Sequence, residues 1–200
     1  MIQHGLGLLV RPHAQWRTIG DLPESSMLTL ALYPCLMAIL PAVAWYYGTS
    51  QVGWIVGEHG TPIKLTEDSA RIICFLFYLT MIACVGVIGY FIHWMAETYG
   101  AQSTLFKGVV IAGYTATPLF LAGLVGFYPI LWLDMLVGVT AISWSVYLMY
   151  LGIPIVMKIP TERGFLFSSA VLAIALVILI CLMVGSVILW DFGAAPAFTD

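Results

Sequence analysis

The residues best suited to chemistry in this sequence lie within otherwise apolar segments. His93 and Glu97 are four residues apart, which places both side chains on one face of a helix. An imidazole and a carboxylate at this spacing can bind a metal ion, but the signal is weak without a second motif, and the other histidines are scattered. Alternatively, both side chains reach the lipid headgroups from the inner end of a membrane helix. The pair therefore indicates a polar helix face and no metal site.

A second polar group falls in the stretch GYTATPLFLAGL, residues 113 to 124. Pro118 has no N–H to donate to the carbonyl of Tyr114, and in lipid that carbonyl must find another partner. The hydroxyls of Tyr114, Thr115 and Thr117 are chemically suitable helpers. Either they only repair the helix at its proline, or the bent helix leaves an accessible carbonyl at mid-membrane, as broken helices do in transporters.

Asp134 is the third candidate, and it shares a helix face with Gly138, Ala141 and Ser145. Its position about one turn after Pro129 also suits a carboxylate at a helix N-terminus, so capping and function are both open. Faces of small and polar residues favour the inside of a helix bundle. The three groups predict one polar interior site among the second, third and fourth spans, formed by His93, Glu97, Tyr114, Thr115, Thr117, Pro118 and Asp134.

Other catalytic and cofactor signatures do not occur in the sequence. There is no serine nucleophile motif, no glycine-rich phosphate loop and no HExxH. The four cysteines lie in apolar segments without a CxxC spacing, which is typical of cysteines that pack as small apolar residues. The sequence thus predicts a protein that is not an enzyme and has no cofactor.

The elements that position these residues follow from the composition. Hydrophobic residues make up 62% of the chain and charged residues 8%, against about 25% in a soluble domain. The mean hydropathy is +1.01. These values indicate an integral membrane protein, and the net charge of -3 gives no indication of nucleic acid binding.

Uncharged segments long enough to cross the hydrocarbon core number five, since a span needs about 20 apolar residues. We therefore predict an all-α integral membrane protein with a short interfacial helix in the cytoplasmic N-terminal segment, residues 1–26. A five-span domain at residues 27–191 and an outer tail at 192–200, expected to be loose, complete the chain. The predicted spans are about 27–48, 70–97, 105–127, 130–157 and 164–190.

The distribution of Lys and Arg predicts the orientation, because positive residues concentrate on the cytoplasmic side. Placing the N-terminus in the cytoplasm and the C-terminus outside puts five basic residues inside and two outside. The inner residues are Arg11, Arg17, Lys107, Lys158 and Arg163, and the outer ones are Lys64 and Arg71.

Prolines and turn residues predict local details of the spans. Helix bends are expected at Pro34, Pro41, Pro118 and Pro154, because proline removes a helical hydrogen bond. Thr66, followed by two acidic residues, is typical of a helix N-cap. The outer stretch WIVGEHGTPIKL has turn residues between two apolar pieces, which suits a small hairpin.

Three motifs in order give the sequence a family resemblance: RPHAQWRTI before the first span, GYTATPLFLAGL in the third, and YLGIPIVMKIP closing the fourth. Over roughly residues 8 to 190 the chain resembles the Yip domain family, membrane proteins named for their interaction with Ypt and Rab GTPases, and is most similar to its prokaryotic branch. The resemblance implies five membrane helices and a cytoplasmic N-terminus.

Particular positions carry this resemblance. Gly113, Tyr114 and Pro118 match the Gly-Tyr and proline pattern of the family, and Tyr150, Gly152 and Pro154 match a second one. The acidic Asp-Leu-Tyr-Gly-Pro motif of eukaryotic members is absent, and the nearest stretch is LALYPCL at residues 30 to 36. GTPase binding is therefore not carried over to this chain.

Two functions from different classes fit the sequence. The first is a non-enzymatic scaffold in a bacterial inner membrane that recruits partners, with the bilayer, other membrane proteins or a homo-oligomer as its contacts. The second is a transporter or channel for a small solute or ion, with its polar site among the second, third and fourth spans. Bent helices and interior polar residues favour the second class, while the family resemblance and small-residue faces favour the first.

Overall fold

The computed structural model describes residues 1–54, 62–190, 192 and 195–199, and in this part of the chain the secondary structure is helical apart from isolated β-bridges. Four helical segments are long and apolar enough to cross a membrane, and a bent pair of helices makes a fifth. The prediction of an all-α integral membrane protein is confirmed. The helices are α1 Ile2–Val10, α2 Pro12–Gly20, α3 Glu24–Leu30, α4 Tyr33–Met37, α5 Ile39–Tyr47, α6 Glu67–Met95, α7 Leu105–Thr115, α8 Thr117–Ala122, α9 Leu131–Met157 and α10 Thr161–Leu189.

The first spanning segment, Glu24–Val52, consists of α3, α4, α5 and a final π-helical turn. It is interrupted at residues 31–32 and at residue 38, in each case two or three residues before a proline. Pro34 and Pro41 are these prolines. Since a proline ring crowds the carbonyl four residues earlier, the regular hydrogen-bond pattern stops just upstream of each one.

The third segment is broken in the same way at Ala116, two residues before Pro118. Helices α7 and α8 meet there at an angle of 42°, and a 3₁₀ segment, Gly123–Phe127, continues α8. By contrast, α9 runs without interruption through Pro154, which lies one turn before its end. Pro154 packs directly against Gly164 at the start of α10, and Lys158 ends α9 in the left-handed conformation with φ of 55°.

The remaining segments are regular. The α6 helix begins after Thr66, whose side-chain oxygen accepts a hydrogen bond from the backbone N–H of Ser69 at 3.4 Å, as the capping sequence predicts. Its neighbour α7 lies so close that a Cβ on Gly108 would meet the carbonyl of Gly89. Glycine at both positions lets the two backbones touch, the close packing typical of membrane helices.

The N-terminal segment forms two helices instead of the single helix that the sequence suggested. Arg11 separates α1 from α2, and Pro12 begins α2 in the position where a missing N–H is tolerated. Leu8, Trp16 and Ile19 are completely buried. The indole of Trp16 packs against Gly152 of α9, so α2 is part of the helix bundle.

Backbone pairing connects the outer loop and the C-terminal tail. Trp54 and Ile63 exchange two backbone hydrogen bonds, as a hairpin requires, while the predicted turn at residues 58–60 lies outside the described residues. The expectation of a loose tail is wrong for residues 197–199. The N–H of Thr66 donates to the carbonyl of Ala197, and the N–H of Thr199 donates to the carbonyl of Lys64. Extended residues after α10 thus satisfy the free edge of the loop.

Candidate functional site

Two tyrosines from different spans form the centre of the buried polar region. Tyr33 begins α4, next to Pro34, and Tyr114 lies in the last turn of α7. Their rings are stacked with centroids 4.2 Å apart and an interplanar angle of 8°. Tyr33 is 1% exposed and Tyr114 is fully buried.

A chain of hydrogen bonds links this pair to the proline break. The hydroxyl of Thr117 donates to the carbonyl of Tyr114 at 2.7 Å, which is the carbonyl that Pro118 leaves without a partner. Because the single hydroxyl proton of Thr117 is used there, Tyr33 Oη is the donor in the 3.0 Å bond to Thr117 Oγ1. Thr117 thus satisfies the free carbonyl at the helix break, and Tyr33 of the first span holds Thr117 in place.

Helix α1 covers the tyrosine pair from the N-terminal side. The hydroxyl of Tyr114 donates to the carbonyl of Met1 at 3.2 Å, and Gly5 contacts the Tyr33 hydroxyl directly. His4 lies edge-on to the Tyr114 ring, with centroids 6.4 Å apart, and its Nδ1 is hydrogen-bonded to Gln15 of α2. Burial, and then the nearby N-terminal ammonium, lower the pKa of His4 below its usual value. We call Tyr33, Tyr114 and Thr117 the tyrosine cluster.

Thr115 points to a different part of the bundle. A cavity of about 370 Å³ lies among α6, the α7–α8 break, α9 and α10, and its walls are almost entirely apolar. Thr115 and Ser145 are the hydroxyl residues in its lining. Both hydroxyl oxygens are buried and have no hydrogen-bond partner among the described residues.

His93 and Glu97 line a separate cleft at the end of α6. The cleft has a volume of about 470 Å³. Glu97 is exposed, while the Nδ1 atom of His93 is buried and has no hydrogen-bond partner within the described chain. We call this the α6 cleft, and the residues that line it are His93, Trp94, Glu97, Gln102 and Ser103.

Asp134 lies apart from these places, in the first turn of α9. It lines neither the apolar cavity nor the α6 cleft, and its Oδ1 atom is buried with no partner among the described residues. The candidates predicted as one site therefore occupy four places: the tyrosine cluster with Pro118, the cavity wall, the α6 cleft and the start of α9. The described residues include no group of three or more His, Cys, Asp or Glu that could hold a metal ion.

Sequence reasoning missed Tyr33 and helix α1 as parts of the polar interior. The signal for Tyr33 was its place beside Pro34 in LALYPCL, which resembles the tyrosine and proline neighbourhood of Tyr114. Gly113 packs on the ring of Pro34, with about 3.0 Å between a Cβ at Gly113 and Pro34 Cγ. LALYPCL and GYTATPLFLAGL therefore make two contacts, Tyr33 with Tyr114 and Pro34 with Gly113.

Several apolar spans around a closed polar cluster define a multi-pass α-helical membrane protein. The chain belongs to the Yip1 domain family, whose domain model matches residues 6–182. It is 41% identical over 192 residues to the inner membrane protein YohC of Escherichia coli K12, covering 96% of this chain and 98% of that protein. YohC of Escherichia coli O6:H1 is similar to the same extent. No solved structure matches the chain.

Proposed function

We propose that this protein is a non-enzymatic membrane scaffold that organises partners through helix faces within the bilayer. The observation that carries the proposal is the closure of the tyrosine cluster. Tyr33, Thr117 and Tyr114 are buried. The Tyr33 hydroxyl bonds to that of Thr117, and the hydroxyls of Thr117 and Tyr114 donate to the backbone carbonyls of Tyr114 and Met1. Polar groups that are satisfied internally stabilise a helix bundle, whereas a transport pathway needs groups that can face a solute.

The apolar cavity also favours a scaffold over a transporter or channel. Its walls are apolar, and the hydroxyl oxygens of Thr115 and Ser145 in its lining are buried, so the described part of the cavity is a poor path for an ion. An ion crossing it would lose hydration without gaining ligands.

The outward faces of the long helices offer surface for membrane partners. From Leu172 to Leu189, every residue of α10 is at least partly exposed. Glycines lie on three helices with open space where a side chain would be, and they let another helix approach closely. These are Gly86 on α6, Gly138 on α9 and Gly185 on α10. A second copy of the chain or another membrane protein fits this surface.

We further infer that the protein resides in a bacterial inner membrane, with its N-terminus in the cytoplasm and its C-terminus outside. The name of the relative YohC and the excess of Lys and Arg in the inner segments support this placement. Alkylation of single cysteines in intact cells tests the orientation. A cysteine at Thr199 should react with an impermeant reagent, and one at Arg17 should react only after the cells are opened.

A photo-crosslinking experiment tests the scaffold. A photoreactive phenylalanine analogue at Met183, which is 65% exposed on α10, should give one discrete higher-mass adduct in native membranes. The same analogue at Val10, exposed on α1, is the control for random collision. A protein that stays monomeric and free of adducts at Met183 and at equivalent exposed positions of α6 and α9 would contradict the scaffold.

A flux assay tests the alternative, a transporter or channel. Purified protein in liposomes should pass no ion or small solute above the rate of empty liposomes. A flux that Asp134→Asn or Glu97→Gln alters would replace the scaffold by a transporter.

A further inference from the structure

We propose that the α6 cleft binds the headgroup of a phospholipid that carries a primary ammonium. Glu97 is the charged residue among the five described residues that line the cleft, so the site favours a cation. Its carboxylate is exposed, and Arg and Lys contribute nothing to this lining that would neutralise it. A cation entering the cleft therefore meets an available anionic partner.

The neighbouring polar atoms are mainly acceptors. The hydroxyl of Ser103 donates its proton to the carbonyl of Thr104 at 3.1 Å, so its oxygen is left to accept. The two carboxylate oxygens of Glu97 accept as well, whereas His93 Nδ1 is buried and out of reach of a ligand in the cleft. A ligand with several N–H donors satisfies such a set. A primary ammonium has three, whereas a quaternary ammonium has none.

Trp94 adds an aromatic surface to the same cleft. It is 64% exposed and lies one turn before Glu97. An ammonium positioned over the face of this indole is attracted by the ring quadrupole. Gln102 supplies an amide N–H₂ group that can donate to the phosphate of a zwitterionic headgroup.

The position of the cleft in the fold indicates a lipid rather than a free amine. It lies where α6 gives way to a 3₁₀ turn, Ala96–Tyr99, and before Thr104 caps α7. Helices that end together in this way end near the membrane surface, where tryptophan is enriched. Phe91, packed edge-on to Trp94 with ring centroids 6.1 Å apart, continues the apolar surface along α6 for the acyl chains.

Native mass spectrometry of the full-length protein in detergent tests the site with three lipids of identical acyl chains. Phosphatidylethanolamine should bind more tightly than phosphatidylcholine, which lacks N–H donors, and than phosphatidylglycerol, which lacks the ammonium. Glu97→Gln should weaken phosphatidylethanolamine binding by about fivefold, the size of one exposed ion pair, and remove the preference. Trp94→Leu should weaken it by about threefold.

Matched variants separate this site from general lipid binding. Glu162→Gln removes an exposed carboxylate in the first turn of α10, and Trp132→Leu removes a tryptophan that is 67% exposed on α9. Both should bind the three lipids as the unmodified protein does. Circular dichroism checks that each variant keeps its helices.

Soluble glycerophosphoethanolamine distinguishes the two sources of the ammonium. At millimolar concentration it should not displace the lipid, because it lacks the acyl chains. Displacement would overturn the assignment to a lipid. Equal binding of the three lipids, or a preference that survives Glu97→Gln, would overturn ammonium recognition altogether. None of these results depends on whether the protein is a scaffold.

Discussion

Tyr33 donates a hydrogen bond to Thr117 while its ring stacks on Tyr114, so one residue of the first span supports both sides of the break in the third. The two spans are 84 residues apart at this hydrogen bond. The bend at Pro118 is thus held by a tertiary contact as well as by its local sequence.

Loss of the Tyr33 hydroxyl should weaken the bundle modestly. Tyr33→Phe keeps the ring stack and removes one buried hydrogen bond, so we expect a loss of about 1 kcal/mol. Tyr33→Ala also removes the ring and should cost about 3–5 kcal/mol. Thermal unfolding in detergent, followed by circular dichroism, measures both changes. Tyr90→Phe, on a tyrosine 52% exposed on α6, is the control, and an equal effect there would contradict the special role of Tyr33.

The stability of the protein should depend on the hydroxyl of Thr117 more than on the shape of its side chain. Thr117→Val is nearly isosteric but leaves the buried carbonyl of Tyr114 without a donor, at a cost of about 1–3 kcal/mol. Thr117→Ser restores the donor and should recover most of the stability. Thr140→Val removes a comparable bond to a backbone carbonyl on an exposed face of α9 and should have little effect. Equal stability of the Val and Ser variants at position 117 would refute the repair.

The packing of α2 on α9 should require glycine at position 152, because a side chain there would displace Trp16. A Cβ there would lie 2.6 Å from Trp16 Cε2, and the buried indole has no room to move aside. Gly152→Ala should therefore destabilise the protein by about 1–3 kcal/mol, as overpacking does. Gly138→Ala on the same helix meets open space and should not destabilise it. Adding Trp16→Phe should partly rescue Gly152→Ala, and failure of this rescue would contradict the contact.

The docking of α1 should weaken as the pH falls. The groups that face His4 are the N-terminal ammonium, Gln15 of α2 and Tyr114 of α7. Its pKa is lower in the folded protein than the usual 6.5, so the docked helix favours the neutral imidazole. Well above pH 6.5 His4 is neutral in both the docked and the undocked state, so docking does not depend on pH there. Below pH 6.5 the undocked state gains a proton, and docking weakens until the pH passes the lowered pKa.

Protease protection of the N-terminus can follow this pH dependence. As the pH falls from about 7.5 to about 5.5, cleavage within α1 should become faster in the unmodified protein. His4→Gln should remove the dependence, whereas His13→Gln, at an exposed position of α2, should retain it. A rate that changes equally in both variants would show that His4 is not the titrating group.

The sequence by itself determined the medium and the local elements. High apolar content requires lipid as the solvent, and it predicts the spans. Proline cannot continue the helical hydrogen-bond pattern, so residues close together in the chain also determine the interruptions before Pro34, Pro41 and Pro118. The cap at Thr66 is equally local. The repair of the Tyr114 carbonyl by Thr117 was also readable, because the two residues lie three positions apart.

Only the tertiary structure decided which polar groups meet. Tyr33 joins Tyr114, α1 covers the pair, and residues 197–199 pair with the outer loop, all through contacts between distant parts of the chain. Helical periodicity places His93, Tyr114 and Asp134 on faces of their own helices, but it does not specify how far apart those helices lie or at which depth each residue sits. Close packing of side chains such as Trp16 on Gly152 decides both, and that depends on the whole bundle.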